Sequence, residues 1–136
     1  MHKRVILSVE EDDAAFQLLK AAFEEAQPEA QLFRATDGEQ ALAFLRREES
    51  FAQVPKPDLI LLNVNPPSKS GLDVLAEIAS NESLRSIKVV VMTPSPLQGD
   101  REKYLALGAQ DLLNKPAKFE ELVVAVRSAS AKASGS

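Results

Sequence analysis

The chain has no cysteine and no tryptophan, and its aromatic residues are six Phe and one Tyr. Without cysteine there is no disulfide, no thiolate metal site and no cysteine nucleophile. No stretch approaches the roughly 20 apolar residues that a membrane-spanning helix needs, so we expect no membrane segment. The first apolar run is shorter than that of a signal peptide and meets four consecutive acids, which favours a cytoplasmic protein.

Positive charge is also scarce. The 136 residues include 20 acids and 16 bases, a formal net charge of −4, and the bases form no cluster along the chain. Nucleic-acid binding usually requires a basic face or helix, so the sequence argues against a nucleic-acid partner. The length suits one domain with a core of ordinary size, which we assign to residues 1–130, followed by a flexible tail at residues 131–136.

Short apolar runs rich in β-branched residues alternate with amphipathic segments. This alternation is typical of strand–helix units on a parallel sheet that is covered by helices on both faces. Five such units predict a doubly wound α/β fold. The predicted strands are Val5–Val9, Ala30–Ala35, Asp58–Val64, Lys88–Met92 and Asp111–Asn114.

Apolar residues at helical spacing predict a helix after each strand. The predicted inner faces are Phe16, Leu19, Ala22, Phe23 and Ala26 in the first helix, Leu42 and Leu45 in the second, Leu72, Leu75, Ala76 and Ala79 in the third, Tyr104 and Leu105 in the fourth, and Phe119, Leu122, Val123 and Val126 in the fifth. Two capping boxes, Thr36 with Glu39 and Ser70 with Asp73, predict where the second and third helices begin.

Polar side chains follow four of the predicted strands. They are Glu10 and Glu11 after the first, Asn63 at the end of the third, Thr93 after the fourth, and Lys115 with Pro116 after the fifth. Ligands of open parallel α/β sheets bind at the carboxyl ends of the strands. Each residue alone has an ordinary structural explanation, such as acids that favour a helix N-terminus. Their occurrence at four strand ends together predicts a functional site.

These motifs resemble the CheY-like receiver domains of two-component response regulators. The similarity runs from VILSVEEDD through PDLILLNVNPPSKSG and VVVMTPS to GAQDLLNKP and the final helix, which is nearly the whole chain. The loop QVPKPDLILL is similar to that of small stand-alone receivers, so we expect no output domain. The resemblance implies a flavodoxin-like fold with strand order 2-1-3-4-5, for which a receiver is a known example.

The resemblance also implies roles for the polar residues at the strand ends. In receivers, an Asp at the end of the third strand accepts a phosphoryl group from a histidine kinase. Mg²⁺ is held there by that Asp and by an acidic pair after the first strand, which Glu10 and Glu11 match in charge. A Thr or Ser after the fourth strand and a Lys-Pro after the fifth form the switch, matched here by Thr93, Lys115 and Pro116.

The phosphoacceptor position departs from this pattern, because it holds Asn63. An amide is neutral and a poor nucleophile, so we expect no phosphoryl transfer to this residue. Mg²⁺ favours carboxylates, so Glu10 and Glu11, with Asn63 and the Asn65 backbone, predict at most a weak or vestigial Mg²⁺ site. We expect Lys115 to pair with Glu10 or Glu11 instead.

Two more positions differ from the family pattern. Leu112 stands where receivers often have a Tyr or Phe that reports phosphorylation, and Ser70 replaces an acidic residue before a Gly. Several differences around one site favour natural loss of phosphorylation. A laboratory replacement of Asp by Asn at position 63 is the alternative.

The leading hypothesis is an atypical receiver that is not an enzyme and acts by binding a protein, either a sensor histidine kinase or another signalling protein, with a homodimer left open. In this family partners commonly dock on the fourth helix, the fifth strand and the fifth helix. In this chain that region contains Lys103, Tyr104, Leu105, Leu112 and Lys118.

Two other hypotheses belong to different classes. One is a phosphoryl-accepting receiver, with Asn63 an artefact or with Ser68, Ser70 or Thr93 as a substitute acceptor. The other is an enzyme or flavin binder on the same fold. It has little support, since there are only five glycines, no glycine-rich phosphate loop, and a single histidine, His2.

Overall fold

The computed structural model describes residues 4–48, 53–63, 69–93, 100–116 and 118–134. Five strands alternate with five helices, and all strand pairs are parallel in the order 2-1-3-4-5. The strands are β1 (Val5–Val9), β2 (Gln31–Ala35), β3 (Leu59–Asn63), β4 (Lys88–Thr93) and β5 (Asp111–Asn114). The helices are α1 (Asp13–Ala26), α2 (Gly38–Arg46), α3 (Lys69–Ser80), α4 (Asp100–Ala106) and α5 (Phe119–Ser134), and a 3-10 helix (Glu82–Leu84) precedes β4. The predicted fold class is confirmed.

The central strand β3 is buried on both faces. Leu59 and Leu61 pack into the hydrophobic cluster on one side of the sheet, whereas Ile60 and Leu62 pack into the cluster on the other. Successive side chains of a strand point to opposite faces, so a strand covered on both sides must be apolar at every position. The continuous run LILL meets this requirement, and burial ends at Asn63, which is half-buried.

Helices α1 and α5 cover one face of the sheet and α2, α3 and α4 the other. The predicted inner faces of α1 and α5 are confirmed in their main residues: Leu19, Ala22 and Phe23 in α1, and Leu122, Val123 and Val126 in α5, are buried. In α2, Leu45 is buried as predicted, and Phe44, which the spacing did not single out, is the larger buried residue. In the described part of the chain no helix is long and apolar enough to cross a membrane.

The capping box predicted at Thr36 is wrong by one residue. Helix α2 begins at Gly38, and its N-cap is Asp37, whose Oδ1 accepts a hydrogen bond of 2.8 Å from the Gln40 amide. Thr36 instead donates from its backbone nitrogen to the Gln40 side chain, at 2.7 Å. A carboxylate is at least as good an N-cap acceptor as a hydroxyl, so the neighbouring Asp takes the role.

Helix α3 also differs from its prediction. It begins at Lys69, so Ser70 is a helical residue and not the N-cap. Its buried residues include Val74, Leu75 and Ile78, while the predicted Ala76 and Ala79 are exposed. Burying the larger side chains removes more apolar surface from water, which sets the rotation of the helix. The Leu72 side chain, the turn at residues 64–68 and His2 lie outside the described residues.

Helix α5 extends to Ser134, so the predicted flexible tail is helical over residues 131–134. Ala129 and Ser130 are buried just before this segment. The buried residues anchor the helix, and the alanines that follow have high helix propensity. Helix α5 therefore continues for four residues past the predicted boundary at residue 130.

An ion pair joins α2 to α3 at the surface. The Arg46 guanidinium donates from Nη2 to Glu77 Oε1 at 2.8 Å and from Nε to Oε2 at 3.3 Å. These hydrogen bonds hold the pKa of the Glu77 carboxyl below its usual range. The stability that the pair contributes is therefore present above the unfolded pKa of Glu77 and is lost as pH falls through the folded pKa.

The burial of β3 generates a stability prediction. Leu61→Ala should lower the free energy of unfolding by about 2–5 kcal/mol, because a fully buried leucine is lost and a cavity remains. Leu18→Ala on α1 is the matched control; its side chain is exposed, and the change should stay within about 0.5 kcal/mol. Urea denaturation measures both. Equal losses in the two variants would contradict the assignment of β3 as the centre of the core.

Candidate functional site

The strand register brings four strand ends to one edge of the sheet. Val9 lies beside Leu62, and Asn63 lies beside Met92, while Thr93 pairs with Asn114. The residues that follow β1 and β5 and those that end β3 and β4 therefore meet at the carboxyl edge, as the sequence predicted. We define this group, Glu10, Asn63, Thr93 and Lys115, as the carboxyl-edge site.

A partly buried ion pair joins the end of β5 to the end of β1 in the carboxyl-edge site. Lys115 Nζ lies 2.8 Å from Glu10 Oε1, and the Glu10 side chain is only 7% exposed against 30% for Lys115. The second oxygen, Oε2, accepts a hydrogen bond of 3.2 Å from the Asp12 amide. Of the two pairings that the sequence left open, the structure has Lys115 with Glu10. A carboxylate this buried requires such a partner, because leaving it unpaired costs several kcal/mol.

Asn63 is bonded through its amide nitrogen. Nδ2 donates to the Val9 carbonyl oxygen at 3.2 Å and lies 3.5 Å from the Ser8 hydroxyl, which is the outer limit of a hydrogen bond. A carbonyl oxygen only accepts, so an ionised carboxylate at position 63 could not form this contact. The amide therefore ties the end of β3 to the end of β1 in a way that Asp would not.

The remaining predicted residues lie around this core of the site. Thr93 is buried at the end of β4, and its carbonyl oxygen accepts from the Lys115 amide at 2.7 Å. Pro116 is half-buried, and Glu11 is exposed. Asn65 lies outside the described residues. The backbone bond from Lys115 to Thr93 continues the β4–β5 pairing past the last strand residue and so fixes where the lysine side chain begins.

Arg34 on β2 is a site residue that the sequence pattern did not predict. Its Nε donates to the Glu10 carbonyl oxygen at 3.0 Å, and its Nη1 lies 2.8 Å from Asp13 Oδ1. The guanidinium carbon also lies 5.0 Å from the centre of the Phe16 ring, within cation–π range. A charged residue directly between two apolar residues of the strand was the available signal. We call the four consecutive acids after β1, residues 10–13, the acidic turn. Arg34 contacts this turn from the side opposite Lys115.

Part of the donor set that could hold a divalent cation is engaged within the chain, while the Glu11 side chain is exposed. Mg²⁺ normally binds to one or two carboxylates together with water. Here both oxygens of Glu10 are engaged, one by Lys115 and one by the Asp12 amide. The Asn63 nitrogen faces the Val9 carbonyl. No group of three or more His, Cys, Asp or Glu residues that could hold a metal occurs in the described part of the chain.

Two of the five residues predicted for a partner surface belong to the core. Tyr104 is 8% exposed and Leu112 7%, and both pack in the cluster that also contains Ala109. Their side chains add almost nothing to the surface, because both are turned inward from α4 and β5. Lys103, Leu105 and Lys118 are exposed.

The ion pair of the carboxyl-edge site generates a double-mutant prediction. The single variants Lys115→Met and Glu10→Gln and the double variant should give a coupling energy of about 1–2 kcal/mol in urea denaturation, because the pair is mostly shielded from water. The same cycle on Arg46 and Glu77 is the control. That pair is more exposed and should couple less strongly. A coupling for Glu10 and Lys115 no larger than the control would contradict a structural role.

The comparisons with known proteins agree with this geometry. The sequence matches the response regulator receiver domain family over residues 6–127. It is 35% identical over 119 residues to the response regulator Rcp1 of Synechocystis sp., covering 88% of this chain and 81% of Rcp1.

Two solved structures are similar along nearly the whole chain. The phosphorylated cyanobacterial phytochrome response regulator RcpA has a TM-score of 0.83 at 33% identity, covering 93% of this chain and 91% of that one. The Mn²⁺-bound form of Rcp1 has a TM-score of 0.80 at 34% identity, covering 92% and 90%. The family match begins at the second residue of β1, includes the other four strands and extends into the last helix. This chain therefore belongs to the response regulator receiver domain family, whose members are signalling modules of two-component systems.

Proposed function

We propose that this chain is an atypical receiver that is not phosphorylated at position 63 and that signals by binding a protein partner. The observation that carries the proposal is the place and bonding of Asn63. It ends the central strand at the carboxyl edge, where the family resemblance puts the phosphoacceptor, and its amide donates to the Val9 carbonyl oxygen. An amide offers no anionic oxygen for attack on phosphorus.

The ion pair supports the same proposal. The switch lysine of a receiver contacts the phosphoryl group, and in this chain Lys115 is already held by Glu10 at 2.8 Å. Arg34 neutralises Asp13 on the other side of the acidic turn. The acidic turn is thus stabilised by two cations of the chain itself. We propose that its folded geometry does not depend on a divalent cation.

The alternative function is a phosphoryl-accepting receiver. In one form, Asn63 is a laboratory replacement for Asp; in the other, a hydroxyl accepts the phosphoryl group. Thr93 is buried, which argues against its attack on a phosphodonor from solvent. Ser68 and the Ser70 side chain lie outside the described residues.

A phosphorylation assay separates these functions. After incubation with acetyl phosphate and Mg²⁺, the intact mass of the protein should be unchanged, because position 63 lacks a carboxylate. The variant Asn63→Asp is the matched comparison. If it gains the mass of one phosphoryl group, the other residues of the carboxyl-edge site support phosphorylation. The amide at position 63 would then be the only group that prevents it. A phosphoryl group on the unaltered chain would refute the proposal.

A thermal assay tests the role of metal. A cation that binds only the folded state raises the melting temperature, and the rise grows with the ratio of its concentration to its dissociation constant. Millimolar Mg²⁺ or Mn²⁺ should leave the melting temperature of the chain nearly unchanged, since Glu10 is already paired. Asn63→Asp should respond more, because it restores one anionic ligand. A large upward shift for the unaltered chain would overturn the metal-independent proposal.

The partner is proposed to be a sensor histidine kinase or another signalling protein in the cytoplasm. A phytochrome is the first class to test, because RcpA, which this chain resembles over 93% of its length, is a phytochrome response regulator. Lys103, Leu105 and Lys118 are the exposed residues of the predicted docking region. A homodimer through the same region stays open, and the charge of −4 supports no nucleic-acid partner.

A further inference from the structure

A half-open cavity lies at the opposite edge of the sheet from the carboxyl-edge site. Its volume is about 320 Å³, and its lining includes an apolar floor of Phe44, Pro57 and Leu84. Pro57 comes just before β3 begins, whereas Asn63 ends that strand, so the cavity and the carboxyl-edge site are separated by the full length of β3. We call this cavity the amino-edge cavity.

The charged residues that line the amino-edge cavity are all cations. Arg46, Arg47 and Lys56 contribute to its wall, and no acidic residue does so among the described residues. The chain as a whole has a net charge of −4, so a cavity with three cations has the opposite sign of charge. Arg46 is neutralised by Glu77, which leaves Arg47 and Lys56 as the cations available to a ligand. Lys56 donates one bond to the Ser86 hydroxyl at 3.0 Å and retains two further donor hydrogens.

Arg47 has an unusual backbone conformation. Its φ is 55° and its ψ 42°, the left-handed region, where glycine is the common residue at a helix end. This conformation is sterically costly for a residue with a side chain. It turns the chain at the end of α2 and brings the arginine to the wall of the cavity.

The negative charge at the end of α2 is partly offset by the chain itself. The carbonyl groups at a helix C-terminus carry partial negative charge unless they are bonded. Here the Arg47 amide donates to the Phe44 carbonyl oxygen at 3.1 Å, and the Glu48 amide donates to that of Ala43 at 2.9 Å. Two of the terminal carbonyl oxygens are thus occupied by the chain itself.

From this arrangement we propose that the amino-edge cavity binds a small organic anion with an apolar, ring-sized body, of the class of aryl phosphates. The anionic group would lie between Arg47 and Lys56, and the ring would lie on Phe44, Leu84 and Pro57. The volume falls at the lower end of the range of about 300–1,000 Å³ for ligand sites, which suits a compact ligand. This inference does not depend on whether position 63 is phosphorylated.

The test uses phenyl phosphate as the probe, followed through the backbone amide signals of the full chain in ¹H–¹⁵N NMR spectra. Benzyl alcohol supplies the ring without charge, and inorganic phosphate supplies the charge without the ring. Phenyl phosphate should give saturable shifts at the amides of Leu45, Lys56 and Leu84, and each of the two part-ligands should bind more weakly, because the site uses both features.

Two pairs of variants test the cations. Lys56→Gln and Arg47→Gln should each weaken phenyl phosphate binding by at least about threefold, as expected for a partly exposed ionic contact. Lys20→Gln on α1 and Arg127→Gln on α5 remove the same charges at exposed positions elsewhere and should leave the dissociation constant unchanged. The spectrum of each variant shows directly whether it is folded.

Several results would overturn the inference. One is the lack of saturation up to about 10 mM phenyl phosphate, which corresponds to negligible affinity. Another is an unchanged dissociation constant in Lys56→Gln and Arg47→Gln. Binding of benzyl alcohol or of inorganic phosphate as tight as that of phenyl phosphate would also overturn it, since the cations or the apolar floor would then contribute nothing.

Discussion

Strand β3 lies in the middle of the sheet, with β1 on one side and β4 on the other, and residues Leu59–Leu62 are almost completely buried. The four apolar residues are bounded by Asp58 and Asn63, so a shift of the strand by one residue would carry a polar side chain into the core. The point where burial ends is therefore set by packing and not by the site. Asn63 occupies that point, and its amide bonds the Val9 carbonyl oxygen at the end of β1.

The electrostatics of the carboxyl edge follow from the burial of one carboxylate. Glu10 is buried because it directly follows a fully buried strand. A buried carboxylate needs a positively charged partner. Lys115 offsets it from β5, and Arg34 holds the neighbouring backbone from β2. Residues 105 positions apart are thus joined by one contact. The lysine is thus engaged by a carboxylate of the chain itself.

Parallel strands give the two edges of the sheet different chemistry. All carboxyl ends meet at one edge, where polar groups are bonded to one another, and all amino ends meet at the other, where the cavity with Arg47 and Lys56 lies. The net charge of −4 describes neither edge, because it averages a turn rich in acids with a cavity lined by cations. Local arrangement decides what each edge can bind.

The sequence by itself determined the order of strands and helices, the central position of β3, and the meeting of Glu10, Asn63, Thr93 and Lys115 at one edge. These follow from hydrophobic periodicity and from the resemblance to receivers, both of which are carried by runs of neighbouring residues. Only the tertiary structure decided that Lys115 pairs with Glu10 and not Glu11, that Arg34 holds the acidic turn, and that Tyr104 and Leu112 are buried. These outcomes depend on distances between groups that are far apart in the chain, or on the rotation of a helix by a fraction of a turn. A local sequence pattern determines neither of them.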